Sequence, residues 1–220
     1  MGMDKQTILI VSGGSIEDDF ACGLIADNHY GMVIACDSGM EFFRRNGLYP
    51  DLIVGDFDSA EESSVRYFKE RPEVLVEQFP AEKDWTDTEL AVRRAMELEP
   101  VHIDLVGATG SRLDHVLGNL QLLHMGLQHG VEIFLLDAHN RVRLIDHSLM
   151  IGQDEQYGDW ISLIPYNCTV HHLTLRGMKY PLADASLAPG VTLGISNEIT
   201  EPQAEIDFSE GMLFVIESRD

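Results

Sequence analysis

The residues best suited to chemistry in this chain are carboxylates gathered in short, glycine-marked segments. In Gly55-Asp56-Phe57-Asp58-Ser59 two acids stand one residue apart after an apolar run. Hard oxygen donors at that spacing suit a divalent cation such as Mg²⁺, with water and phosphate oxygens completing its octahedron. Gly55 allows a tight turn that would bring both carboxylates to one ion. The same five residues also read as a plain acidic turn, because a single D-x-D carries little specificity. Asp37 stands after another apolar run and adds a further acid.

Lys83-Asp84-Trp85-Thr86-Asp87 places Asp84 and Asp87 around a helix start. Thr86 and Glu89 have capping-box spacing, so Thr86 is the expected N-cap and Asp87 falls in the first turn, where a carboxylate also complements the helix dipole. Lys83 has two uses beside these acids: to neutralise them or to hold a phosphate. Gly107-Ala108-Thr109-Gly110-Ser111-Arg112-Leu113-Asp114-His115 links a strand to a helix. Its glycines let backbone approach a phosphate chain, and Arg112 can fork onto the oxygens. Asp114 reads either as the N-cap of that helix or, with His115, as a proton acceptor for a substrate hydroxyl. Ser12-Gly13-Gly14-Ser15 resembles a nucleotide-binding turn but matches neither G-x-G-x-x-G nor a Walker A sequence. His171-His172 is expected to be ordinary strand, since strand neighbours point to opposite faces.

These segments need elements to carry them. Apolar runs at 8–11, 32–35, 52–54, 74–76, 101–106 and 131–136 alternate with helix-period stretches at 18–29, 39–46, 62–71, 86–98 and 115–129, which predicts an α/β layered sheet. Ala91, Ala95 and Leu98 are the expected inner face of the helix that starts at Thr86. Val116, Leu120, Leu123 and Leu127 are that of the helix over 115–129. Each acidic cluster then lies at or after the carboxyl end of a strand, where ligands gather in open α/β sheets. From residue 140 onward the runs become short and β-like: 141–145, 160–164, 170–175, 191–195, 204–208 and 212–217. We divide the chain as 1–140, α/β, and 141–220, all β.

Composition narrows the partners. Acidic residues outnumber basic ones 37 to 15, a net charge of -22, so nucleic acid is excluded as a partner by repulsion. An anionic substrate would require a bound cation and a few placed basic groups. Cys22, Cys36 and Cys168 contain no metal or disulfide spacing, and no signal peptide or membrane span is evident, so a cytoplasmic protein is expected.

In order along the chain, Asp37-Ser38-Gly39, the segment from Pro50 to Ser59, Asp84-Trp85-Thr86-Asp87, Gly107-x-x-Gly110-x-Arg112-x-Asp114-His115-x-Leu117-x-Asn119 and Ser196-Asn197-Glu198 resemble the thiamine pyrophosphokinase family over nearly the whole chain. That resemblance implies a Rossmann-like three-layer α/β domain followed by a smaller β-sandwich that binds thiamine. It implies transfer of pyrophosphate from ATP to the thiamine hydroxyl, yielding AMP. It also implies Asp56, Asp58 and Asp87 around Mg²⁺, and Asp37, Lys83 and Asp84 completing the nucleotide and metal pocket. Arg112 and Asp114 would meet the transferring group and the thiamine hydroxyl. Ser196 and Asn197 would contribute to a thiamine pocket between the subunits of a homodimer. Two departures from the family pattern are Ser38, where a second glycine is usual, and Ile199-Thr200, where some members carry a tryptophan; Trp160 is the substitute candidate. The competing classes are a phosphatase working through an aspartyl phosphate on the D-x-D, and a non-catalytic nucleotide or thiamine sensor.

Overall fold

The computed structural model describes residues 6–58, 60–80, 82 and 84–220, and the chain divides between Ala138 and His139 into two compact units. Lys83, expected in the nucleotide pocket, and Ser59 lie outside the described residues.

The first unit is a parallel sheet with helical crossovers. Its strands are β1 (Ile8–Val11), β2 (Met32–Cys36), β3 (Leu52–Gly55), β4 (Leu75–Gln78), β5 (His102–Val106) and β6 (Glu132–Leu136), in the order β4-β3-β2-β1-β5-β6. Ile10 of β1 stands opposite Ile34 of β2 on one side and Leu105 of β5 on the other. The helices are α1 (Asp18–Asp27), α2 (Met40–Asn46), α3 (Glu62–Lys69), α4 (Asp87–Met96) and α5 (Leu113–His129). The chain winds outward from β1 to β4, then returns to the far side of β1. With right-handed crossovers that reversal puts α1, α2 and α3 on one face and α4 and α5 on the other. Every residue of β1 and β3 is buried, the continuous apolar pattern of strands covered on both faces.

Two expected helix faces are corrected. Ala91 and Ala95 are fully buried, but Leu98 is exposed because α4 ends at Met96. On α5 the buried residues are Asn119, Leu122, Leu123 and Gly126, so the inner face is rotated from the one centred on Val116, Leu120 and Leu127. Gly126 explains the rotation: a Cβ there would meet the Val131 carbonyl and the Ile133 side chain, so the helix approaches β6 most closely at its glycine.

The second unit is antiparallel throughout. β7 (Asn140–Ile145), β13 (Leu213–Ser218) and β9 (Trp160–Pro165) form one sheet in that order. β11 (Leu182–Leu187), β10 (Val170–Arg176), β12 (Gln203–Asp207) and β8 (Leu149–Gly152) form another. Ile161, Leu163, Leu213 and Val215 of the first sheet share a core with Leu173, Leu175, Ala204 and Ile206 of the second. Glu217 extends the inward row of β13 and is fully buried; Arg141 Nη2 at 2.8 Å and the Tyr157 N–H at 3.0 Å compensate its charge.

The strand expected over 191–195 is absent. Val191 and Ile195 instead donate backbone hydrogen bonds to Ala188 and Thr192, closing local turns, and Gly190 takes φ +89. β8 and β11 were not anticipated; β11, Leu-Ala-Asp-Ala-Ser-Leu, has little intrinsic strand preference and owes its conformation to pairing with β10. His171 and His172 do not alternate as strand neighbours should. A bulge with His172 at φ +58 leaves both exposed, each bonded to its own partner, Ser186 and Asp184.

Candidate functional site

A pocket of about 670 Å³ opens in the first unit at the carboxyl ends of β1, β2, β3 and β5, beside the starts of α4 and α5. β1 and β5 are adjacent but lead to opposite sides of the sheet, so their following loops diverge there and leave a crevice.

Its floor is built from the loops that follow β1 and β5. Gly14 N–H donates to the Gly107 carbonyl at 2.7 Å, and Ser15 N–H donates to that of Thr109 at 2.7 Å. A side chain at Gly14 would collide with both carbonyls, and one at Gly107, which has φ +68, would collide with the Ser12 carbonyl. The Ser12-Gly13-Gly14-Ser15 turn, whose sequence signal was weak, is therefore half of the floor. Its role was hidden because its partner loop lies far along the chain. Ser38 lies over Gly13, where its hydroxyl takes up the space a Cβ on that glycine would need.

The acids come from the other strand ends. Asp37 opens a short 3-10 turn after β2 with φ +48 and is only 7 % exposed. Asp56 and Asp58 follow β3. Here Phe57, not Gly55, takes the left-handed conformation, at φ +66, and the Asp56 carboxylate accepts the Asp58 N–H at 3.0 Å. Gly55 serves close approach instead: a Cβ there would come to 3.0 Å from the Asp37 Cα. The nearby Asp56 charge, joined by those of Asp37 and Asp87, pushes the Asp58 carboxyl above the usual range for aspartate. Asp87 begins α4 behind the Thr86 N-cap, whose Oγ1 accepts the Glu89 N–H at 3.2 Å. Only half of the capping box forms, because the Glu89 carboxylate turns to Arg93 at 2.8 Å.

Asp37, Asp56, Asp58, Asp87 and Arg112 thus line one pocket, together with His115 and Asn119. Asn119 is buried and donates to the Ala108 carbonyl at 2.8 Å, which pins α5 to the glycine loop. Asp84 is exposed and does not line the pocket. Asp114 does not line it either, and it is not an N-cap: Arg112 occupies the cap position and Asp114 lies in the first turn. Its carboxylate takes the Arg112 guanidinium at 2.7 Å, which holds its pKa down to about 2. An acid that weak in basicity is a poor proton acceptor near neutrality.

Among the described residues no group of at least three His, Cys, Asp or Glu side chains is closed into a ligand set. The donor chemistry nonetheless fits a hard divalent cation. The acids are oxygen donors, and the mutual repulsion that raises Asp58 is what positive charge would relieve.

In the second unit Asn197 is 6 % exposed and its side chain is held by hydrogen bonds at both ends of the amide. Its Oδ1 accepts the Tyr180 and Glu198 N–H groups at 3.0 and 2.9 Å, and its Nδ2 donates to the Tyr180 carbonyl at 2.8 Å. Ser196 beside it has φ +55 and donates its N–H to Ser162 Oγ. Among the described residues no helix is long and apolar enough to cross a membrane.

A parallel sheet with paired glycine loops and convergent carboxylates over its switch point defines the class of α/β proteins that hold a ligand at strand ends. Comparison with known proteins resolves the class further. Residues 26–135 match the model of the thiamin pyrophosphokinase catalytic domain, and residues 146–213 match that of the thiamin pyrophosphokinase vitamin B1 binding domain. Thiamine pyrophosphokinase of Bacillus subtilis (strain 168) is 36 % identical over 98 % of this chain and 100 % of its own. The crystal structure of the Bacillus subtilis enzyme superposes with a TM-score of 0.86 at 37 % identity, covering 98 % of this chain and 100 % of that one. The thiamin pyrophosphokinase structure from Geobacillus thermodenitrificans gives 0.82 at 34 % identity, over 97 % and 98 % of the two chains. The chain belongs to the thiamine pyrophosphokinase family.

Proposed function

We propose that this protein transfers pyrophosphate from ATP to the hydroxyl of thiamine, giving thiamine diphosphate and AMP. The observation that carries this reading is the convergence of Asp37, Asp56, Asp58, Asp87 and Arg112 with two interlocked glycine loops in one pocket. In the reaction the thiamine oxygen forms a bond to the β-phosphorus, and the bond from that phosphorus to the α,β-bridging oxygen breaks. The bridging oxygen leaves with AMP, and the hydroxyl proton passes to solvent. Such a transfer requires alignment and neutralisation of phosphate charge more than covalent help. The glycines let the backbone of the two loops come close to the phosphates, and Arg112, which lines the pocket while paired with Asp114, meets their oxygens. Asp56, Asp58 and Asp87 would hold Mg²⁺. When bound, the ion would draw off negative charge accumulating on the phosphate oxygens.

The strand order favours a Rossmann-like reading of the first unit as the nucleotide domain, and the paired sheets favour a thiamine-binding sandwich for the second. Because the Asn197 amide is occupied in holding its turn, Ser196 is the residue of that pair available to meet thiamine. A cytoplasmic homodimer with the thiamine pocket between subunits completes the reading.

Incubation with Mg²⁺, ATP and thiamine should produce AMP and thiamine diphosphate in equal amounts. Inorganic phosphate without thiamine diphosphate would point instead to a phosphatase. Asp56→Asn and Asp58→Asn should each lower turnover by at least about a hundredfold with the fold intact. Near-normal AMP release by these variants would remove the metal assignment.

A further inference from the structure

Within the lining of the pocket lies a buried polar cluster that the reaction above does not use. Ser12 Oγ and Thr88 Oγ1 are 2.7 Å apart, and the Cys36 thiol donates to Thr88 Oγ1 at 4.0 Å. The three residues are 5 %, 7 % and 1 % exposed, in the order Ser12, Thr88, Cys36. They come from three places in the fold: the end of β1, the first turn of α4 and the end of β2. All three line the pocket, and each is the chain neighbour of another residue that lines it. Ser12 precedes Gly13, Cys36 precedes Asp37, and Thr88 follows Asp87.

Packing alone would not select these side chains. Leu90, Ala91, Val92 and Ala95 already bury the body of α4 against the sheet, and valine in place of Thr88 would fill the same volume. Apolar contact is non-directional and tolerates a small slide of the helix along its axis. A short hydroxyl bond has a fixed length and direction, and does not. Buried hydroxyls also require partners, and here Ser12 and Thr88 supply each other. Ser12 is itself anchored, because its N–H donates to the Val106 carbonyl at 2.8 Å and so ties the cluster to β5.

We infer that Thr88 is a positioning residue, whose hydroxyl bond to Ser12 sets where the first turn of α4, and with it Asp87, stands relative to the β1 and β2 loops. This rests on the proposed pyrophosphate transfer. Displacement of a metal or phosphate ligand by a fraction of an ångström weakens alignment without unfolding the protein.

The test compares Thr88→Val, Thr88→Ser and Ser12→Ala with the wild type. Turnover is measured per folded enzyme, and binding of α,β-methylene ATP is measured by calorimetry with and without Mg²⁺. Thr88→Val should lower kcat about 10- to 100-fold. It should weaken Mg²⁺-dependent nucleotide binding about tenfold, leaving binding without Mg²⁺ and the KM for thiamine within about twofold. Thr88→Ser, which keeps the hydroxyl, should recover most of the loss, whereas a merely structural role would leave Val and Ser alike per folded molecule. Ser12→Ala should reproduce the Thr88→Val defect, and the double variant should add little to it. If Thr88→Val does not fold, Ser12→Ala and Thr88→Ser carry the comparison. Equal turnover and equal Mg²⁺-dependent affinity across the folded variants overturn the inference alone. A wild type that neither binds the analogue with Mg²⁺ nor forms AMP overturns the reaction and the inference together.

Discussion

Arg112 and Asp114 sit two residues apart at the mouth of α5, and their ion pair limits what each can do. The guanidinium holds the Asp114 carboxyl down to about 2, below an ordinary aspartate. A depressed pKa contributes stability above the unfolded value, and that contribution is lost as pH falls through about 2, far from any working pH. Asp114→Asn is therefore expected to change the level of activity while leaving the shape of the pH–rate profile between about pH 5 and 9 intact. A profile whose acid limb disappears in this variant would restore Asp114 as a base. The same scale shows how local chemistry misleads. Glycine was the natural candidate for the tight turn at residues 55–59, yet Phe57 takes the positive φ. Gly55 is needed because the Asp37 backbone passes beside it, a fact about a neighbouring strand.

At the scale of elements, glycines with different surroundings should behave in opposite ways. Gly14→Ala drives a methyl into the Thr109 and Gly107 carbonyls, so the β1 and β5 loops must separate. We expect a loss of about 1–3 kcal/mol in stability and at least a tenfold loss in turnover. Gly118, in the middle of α5, has open space where a Cβ would go. Gly118→Ala should raise stability by about 0.5–1 kcal/mol through helix propensity, with turnover unchanged. Thermal melting and steady-state assays on the pair check both, and a Gly14→Ala protein with wild-type activity would show that the loops can part without harm. Elements were legible where burial imposed an unmistakable pattern. β1 and β3 are apolar throughout because both faces are covered. The run at 191–195 carries the apolar alternation of a strand but, beyond the Gly194 carbonyl that accepts the Leu163 N–H, forms no ladder, whereas β11 has the pairing without the pattern.

The whole molecule carries a net charge of -22, and its candidate site concentrates carboxylates. A field of that sign attracts the thiazolium cation of thiamine and repels free ATP. The association rate of thiamine should accordingly fall as ionic strength rises from about 10 to 150 mM, while that of metal-free ATP rises, because added salt screens attraction and repulsion alike. Stopped-flow measurement of the two rates checks the signs; a thiamine rate indifferent to salt would show that the field does not guide it.

The sequence by itself determined the layered α/β unit, the β unit after it, and the acids and arginine that bear on phosphate chemistry. Hydrophobic period and side-chain type are properties of short segments, and short segments reveal them. Which acids share a pocket was decided only by the tertiary structure. Asp56, Asp58, Asp87 and Arg112 converge there while Asp84 and Asp114 do not, because side chains a few residues apart can point away from a cleft or into it. The Gly14–Gly107 contact and the Ser12–Thr88 bond arise in the same way, since they join segments that only a sheet reversing direction at β1 and β5 brings side by side.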